Sequence, residues 1–338
     1  MFYSLSRNKT LDILLYVILF LVFALPACLR YGIGTDYLLI YEPAIQSVFA
    51  GDIPVDKEWS FVFIAKLVNA FSEESHWVFV IYAAITYFVS LLAMQKKWMW
   101  CAAPAFLMHF YPFTLSGIRQ AAAMSFLMLA LRFVVSNRVS WCFISIVIAT
   151  FFHFSSALMV VFLCVAKCVA NVNFKVLLVS CAIASLCVIL IDFSPMFGAL
   201  VETTEYSKYL NDSIHGGAAK MSSGLGLLLP ALMFYGLAFL LLQDESACVR
   251  LLGSLGLISC FIYAASVHME IVRRLCIISD VGLPFAMAMI FERHRDRIGV
   301  TVFFSAFILL FAMYCKEIID NANYGIVPYV SIFEEGVF

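Results

Sequence analysis

The chain has 338 residues, 64% of them hydrophobic and 13% charged, against about 45–50% and about 25% in water-soluble domains, so it has too little polar surface for a soluble fold. A formal net charge of −1 gives no global basic field, which argues against nucleic acid as a partner and leaves any anion site to be built locally. No charged, Pro-rich or Ser-rich linker divides the sequence, and residues 1–338 read as a single integral membrane domain.

A crossing helix needs about 20 apolar residues. In chain order, crossings are predicted at 11–29, 77–94, 98–115, 118–135, 141–152, 157–170, 174–193, 224–242, 251–267, 275–291 and 299–315. The first follows Arg7 and Lys9 and ends in Leu25-Pro26-Ala27-Cys28, which imitates a lipoprotein signal peptide, although an uncut signal anchor explains it equally well. Thr35 and Asp36 stand where they can cap a helix over 37–49. The stretch 59–71 is too short to cross and carries Lys66, so it reads as an outer-surface or re-entrant amphipathic helix. The two short crossings around 152–157 are expected to form a tight hairpin rather than one long tilted helix. Outer-face loops are expected at 30–76 and 194–223, and no internal repeat is visible. The expected fold is an all-α, polytopic transmembrane bundle of about eleven spans.

Orientation follows from the bias of basic residues toward the cytoplasm. With the N-terminus inside, Arg7, Lys9, Lys96, Lys97, Arg138, Lys167, Lys175, Arg250, Arg293, Arg295 and Arg297 all fall on that side. The C-terminus is then periplasmic. Eleven cysteines lie mostly in apolar blocks, and Cys164 and Cys168, one turn apart, have no His or carboxylate grouped with them. Neither a structural disulfide nor a zinc site is expected.

Four arginines break the bias: Arg30 ends the first crossing, Arg119 opens the fourth, and Arg273 and Arg274 open the tenth. Each alone reads as a snorkelling side chain; all four on one face suggest a shared anion site, because guanidinium makes planar, bidentate contacts to phosphate. The run Arg-Tyr-Gly-Ile-Gly-Thr-Asp-Tyr at 30–37 adds the Asp36 carboxylate. Its Gly-x-Gly lacks the third glycine and preceding strand of a dinucleotide site. Tyr31, Tyr37 and Tyr41 suit either an interfacial belt or stacking against sugar rings. His153, before Ser155 and Ser156, sits at an outer helix end, where it can take a proton or simply satisfy a backbone carbonyl. Neither Gly-x-Ser-x-Gly nor His-Glu-x-x-His occurs, which argues against hydrolase and metalloprotease classes.

The chain resembles the EpsG family of polysaccharide polymerases, the Wzy-like enzymes of O-antigen, capsule and exopolysaccharide synthesis. The match is carried by the 30–37 run with Tyr41 after it, by Glu58-Trp59-Ser60-Phe61, by Gly-Ile-Arg-Gln at 117–120, and by Phe152-His153-Phe154-Ser155. Weaker echoes are Arg273-Arg274 before a crossing and Val327-Pro328-Tyr329 in the tail, and Ser60 stands where the family carries glycine. The resemblance implies a membrane glycosyltransferase of GT-C-like type in the bacterial inner membrane. Its donor and acceptor would be undecaprenyl-diphosphate-linked oligosaccharides, it would use no cofactor, and it would work beside a chain-length regulator and a flippase. Asp36 and His153 are then the candidate bases, with Arg119 and Gln120 on the diphosphate and Arg30, Arg273 and Arg274 in support; Tyr37, Tyr41 and Glu58 are further substrate contacts. A ligase fits the same outer-face arginines. A flippase would need charges along a mid-membrane path, and Arg132 and Asp192 both lie close to span ends.

Overall fold

The computed structural model describes residues 9–52, 58–191, 225–268, 270–320 and 324–334. Asp192 and the loop expected at 194–223 lie outside the described residues. Among them the structure is all-helical and has no sheet, its one bridge being the isolated pair Arg30 and Ser331. Among the described residues five helices are long and apolar enough to cross a membrane, or six when one bent pair counts as a single span. Hydrogen-bonding every backbone group inside the element is what makes helices viable in lipid. The predicted crossings at 141–152, 157–170, 174–193 and 224–242 are occupied by shorter apolar helices, and 98–115 by two separate ones.

The chain forms two compact units, Met1–Ala157 with Leu310–Phe338, and Leu158–Leu309. In the first, α1 (Lys9–Leu29) is followed by a π-helical turn (Tyr37–Tyr41), α2 (Glu42–Phe49), α3 (Trp59–Asn69) and α4 (His76–Ala93). After these come α5 (Met99–His109), α6 (Tyr111–Thr114), α7 (Ile118–Val135) and α8 (Val139–Phe152). The frame is α1 against α4, α4 against α7 and α7 against α8. Ala121, Ala122, Ala123 and Ala130 are buried on α7, and such small residues let neighbouring backbones approach where lipid offers no hydrophobic drive. By contrast α1 buries Phe23, Ala24 and Ala27 and exposes Leu14, Ile18, Val22 and Leu25, the pattern of a helix facing lipid.

Two predicted spans are broken, each at a proline. The 98–115 segment divides at Phe110, two residues before Pro112, and 275–291 bends by 44° ahead of Pro284, because proline has no N–H to bond the carbonyl four residues back and is tolerated in the first turn of a new helix, where that donor has no partner. The helix at 139–152 ends at His153, whose backbone is extended, and a 3-10 turn (Phe154–Ala157) follows.

The second unit contains α9 (Leu158–Val169), α10 (Phe174–Leu190), α11 (Leu225–Leu241), α12 (Ala247–Ala265), α13 (Glu270–Asp280) and α14 (Leu283–Arg293). Helix α15 (Arg297–Asp320) begins here and ends in the first unit. The central packing is α11 on α12, with α9, α10, α13 and α14 against α12. Leu178, Ala238, Leu242 and Leu257 form a core cluster. Arg250 closes one end by donating to the carbonyls of Ala170, Asp244 and Glu245.

Candidate functional site

Three chain breaks in the first unit bring Glu58, Arg119 and His153 together. Glu58 is the extended residue before α3; its carbonyl receives the Phe61 N–H at 3.0 Å while its side chain makes no capping bond. Arg119 is the second residue of α7, just past Gly117, where an added Cβ would lie 2.8 Å from the Phe113 ring. His153 is where α8 stops, and its backbone N–H still donates to Ala149 at 2.9 Å.

The carboxylate of Glu58 serves both partners. Oε1 lies 2.7 Å from His153 Nδ1, and Oε2 accepts from Arg119 Nη1. A carboxylate can only accept, so Nδ1 carries the proton and Nε2 is the basic nitrogen. Burial pushes the Glu58 carboxyl up, but the His153 hydrogen bond and the Arg119 charge outweigh it, and the group ionises below its usual range. The guanidinium of Arg119 stands over the rings of Tyr41 and Phe61, at 5.5 and 5.7 Å from their centroids. Its Nε is enclosed with no hydrogen-bond partner among the described residues.

Asp36 is half-buried at the start of the π-helical turn and makes no capping hydrogen bond. Its charge, like that of Glu58, acts on the buried Tyr41 hydroxyl. Tyr37 and Tyr41 are both interior, Tyr37 stacked on Phe79 at 3.9 Å and Tyr41 packed between Phe61 and Phe79. Neither presents a face to a sugar ring or to the membrane interface, whereas Tyr31 remains partly exposed. Arg30 is 1% exposed, covered by the C-terminal tail: Tyr31 N–H donates to Val330 O and Ile332 N–H to Leu29 O, both at 2.9 Å. Gln120 follows Arg119, half-buried. Arg273, half-buried, and Arg274, exposed, both belong to α13 of the second unit.

Sequence reading passed over two groups. Buried His76 joins α1 to the turn: Nε2–H donates to the Cys28 carbonyl at 2.6 Å and Nδ1 accepts from the Tyr37 hydroxyl at 3.4 Å. Asp280, inside the predicted span 275–291, is 1% exposed and receives the Tyr263 hydroxyl at 2.8 Å. Its signal was plain, an acidic residue within an apolar run. Among the described residues no group of three or more His, Cys, Asp or Glu is arranged to hold a metal.

A family model described as the EpsG family matches residues 13–331. The chain belongs to the EpsG family. Comparison with curated proteins and with solved structures gives no significant match. EpsG is a family of enzymes associated with Wzy-like polysaccharide polymerases. This EpsG chain thus carries its ionisable cluster on an all-helical membrane frame, built from segments spread across most of the matched range.

Proposed function

We propose that this EpsG-family chain is a polysaccharide polymerase acting at the periplasmic face of the inner membrane. It transfers the oligosaccharide of one undecaprenyl-diphosphate-linked repeat onto a second, lipid-linked acceptor. The observation that carries this reading is the Glu58 carboxylate held between His153 Nδ1 and Arg119. That geometry turns Nε2 of a partly exposed histidine into an oriented proton acceptor.

In the proposed reaction an acceptor hydroxyl oxygen attacks the anomeric carbon of the donor. The bond from that carbon to the diphosphate oxygen breaks, the diphosphate leaves with the electron pair, and the hydroxyl proton passes to His153 Nε2. Once protonated, the imidazolium together with Arg119 and Glu58 carries a net charge of about +1 beside the departing anion, where none was needed in the ground state. Asp36 is the alternative base, since its charge also reaches the Tyr41 end of the cluster. Gln120, Arg273 and Arg274 are proposed diphosphate contacts, and a chain-length regulator and a flippase are proposed partners.

Buried Asp280 on the bent span favours one competing reading, a flippase, because an ionisable group inside a crossing is the expected mark of a transport path. Deleting the gene in its native host separates the readings through the surface glycan. A single repeat on the lipid acceptor with no ladder supports the polymerase. Absence of glycan supports the flippase, and free unligated polymer supports a ligase.

A further inference from the structure

Helices α10 and α12 of the second unit meet through small side chains. Leu178, Cys181 and Ser185 follow one another at helical spacing on α10, and Leu178 and Cys181 pack in the core cluster with Leu257 of α12. Small residues at such a seam let two backbones approach closely. The Cys181 thiol donates to the Leu257 carbonyl at 3.6 Å. A helical carbonyl points along the axis toward the residue four positions on, so a sulfur bound to that of Leu257 lies at the level of Cys260, the next turn of α12. There the two thiols meet, each the foremost hydrogen-bonding neighbour of the other. The single proton of Cys181 is committed to Leu257, so Cys260 is the donor in that contact. For the same reason the Ser185 hydroxyl, 4.0 Å away, donates to the Cys181 sulfur.

All eleven cysteines are free thiols, and this pair differs from Cys164 and Cys168, which are exposed one turn apart on a single helix. Neighbours at that spacing hold their Cβ atoms about 5–6 Å apart, beyond the roughly 3.5–4.5 Å that a disulfide spans. Cys181 instead faces a second helix, and its short side chain already touches the α12 backbone. It is half-buried on α10, whereas Cys260 is 5% exposed. One sulfur is thus accessible and the other waits behind it, the arrangement in which an oxidised cysteine is captured by a resolving partner. We propose that Cys181 and Cys260 form a redox-active dithiol that reduces one hydroperoxide and closes to a disulfide joining α10 to α12. The Cys181 sulfur attacks a peroxide oxygen, the O–O bond breaks, and the leaving oxygen takes the thiol proton and departs as water or an alcohol. The Cys260 sulfur then attacks the resulting sulfenic acid; the S–S bond forms, the S–O bond breaks, and the hydroxyl leaves with the Cys260 proton as water. The two electrons that reduce the peroxide are those the dithiol loses. Donation from Cys260 and Ser185 steadies the Cys181 sulfur as it gives up its proton, the thiolate being the nucleophile. The site lies in the second unit and does not depend on the polymerase reading.

The test titrates the purified, fully reduced full chain in nanodiscs with hydrogen peroxide, then unfolds it in N-ethylmaleimide and maps the peptides by mass spectrometry. A peptide linking Cys181 to Cys260, reversed by a phosphine reductant, is expected at lower peroxide than any oxidation of Cys164, Cys168 or Cys187, although those three are the more exposed. In Cys260→Ser, Cys181 should accumulate as the sulfenic acid and be trapped by dimedone. In Cys181→Ser, Cys260 should stay open to alkylation after the same treatment. Oxidation that simply follows exposure, with Cys164, Cys168 and Cys187 consumed first, would overturn the proposal. Sulfinic acid at either cysteine of the wild type with no linked peptide would do the same, as would peroxide oxidation of Cys260 that survives Cys181→Ser. If a serine variant does not fold, the order of oxidation in the wild type decides alone.

Discussion

Replacing Glu58 by glutamine tests whether His153 works through its carboxylate. Glutamine offers one carbonyl where glutamate offers two acceptor oxygens, so one of the two donors, His153 Nδ1 or Arg119 Nη1, must face an NH2 group. The loss is one charge-assisted hydrogen bond, about 1.5–3 kcal/mol, and the 17% exposure of the carboxylate places it toward the lower end. His153 is no longer held in one tautomer, and a general base lost or misaligned lowers the rate about 10²–10⁴-fold. Initial rates of purified protein on lipid-diphosphate-linked oligosaccharide, in nanodiscs at matched concentration, should show that fall in kcat with little change in KM. In a double-mutant cycle, Glu58→Gln and His153→Gln together should lose little more than the worse single variant, because residues acting as a unit are not additive. Losses that multiply would refute the coupled reading. The same variant has a signature in acid. A carboxyl whose folded pKa is depressed contributes stability above the ordinary carboxylate range and loses it as pH falls through the folded value, so the wild-type melting temperature should drop on acidification and Glu58→Gln should flatten that limb.

Gly34 has φ +103°, and a Cβ there would lie 2.1 Å from the Leu115 carbonyl oxygen; Gly34→Ala should destabilise by about 2–3 kcal/mol from backbone strain and overpacking together, and an unchanged melting temperature would contradict this. Arg119→Lys keeps the charge but not the planar fork and should abolish most polymer, while Arg132→Lys, altering a residue that donates to the Leu92 carbonyl, should leave the ladder intact at matched protein levels. The tail pairs with backbone at 29–34, so cysteines introduced at Asp52 and Glu334, with native thiols removed, should react with an impermeant reagent in intact spheroplasts; reaction of one without the other would break the pairing.

Most of the helical frame was legible because it rests on local pattern. The segment 118–135 appears as Ile118–Val135 since Gly117 and Asn137, the latter at φ 58°, bound a run that is apolar apart from Arg119, Gln120, Ser125 and Arg132. Counting apolar residues could not see Pro112 or Pro284 break their spans, because a proline removes one backbone donor and leaves average hydropathy almost untouched. A short helix was expected at 59–71 and a helix is found at Trp59–Asn69. The cluster itself left no local trace. Glu58 and His153 are 95 positions apart and Glu58 and Arg119 are 61 apart, and their pairing depends on packing of α3 against α4 and α8. The tyrosines misled for a related reason: the amphipathic ring that suits a membrane interface also suits an aromatic core, and only the tertiary fold chooses between the two.

The cations of the first unit separate according to what they touch. At one end Lys96 pairs with Asp12 and Arg132 bonds to a helix-end carbonyl, contacts that finish a helix bundle and hold nothing in readiness. At the other end Arg119 sits 16% exposed with its charge met by a carboxylate that also binds a histidine. A snorkelling arginine reaches outward to headgroups; this one reaches inward, across Tyr41 and Phe61, to a group from another segment. Desolvating three ionisable side chains is a poor way to gain stability, since apolar residues of similar volume would serve as well or better. A buried carboxyl displaced from its usual range by a histidine and an arginine is the kind of group that concentrates where proton transfer is needed. On this ground we propose that Glu58, Arg119 and His153 are brought together for chemistry at that end of the unit rather than to hold the helices together.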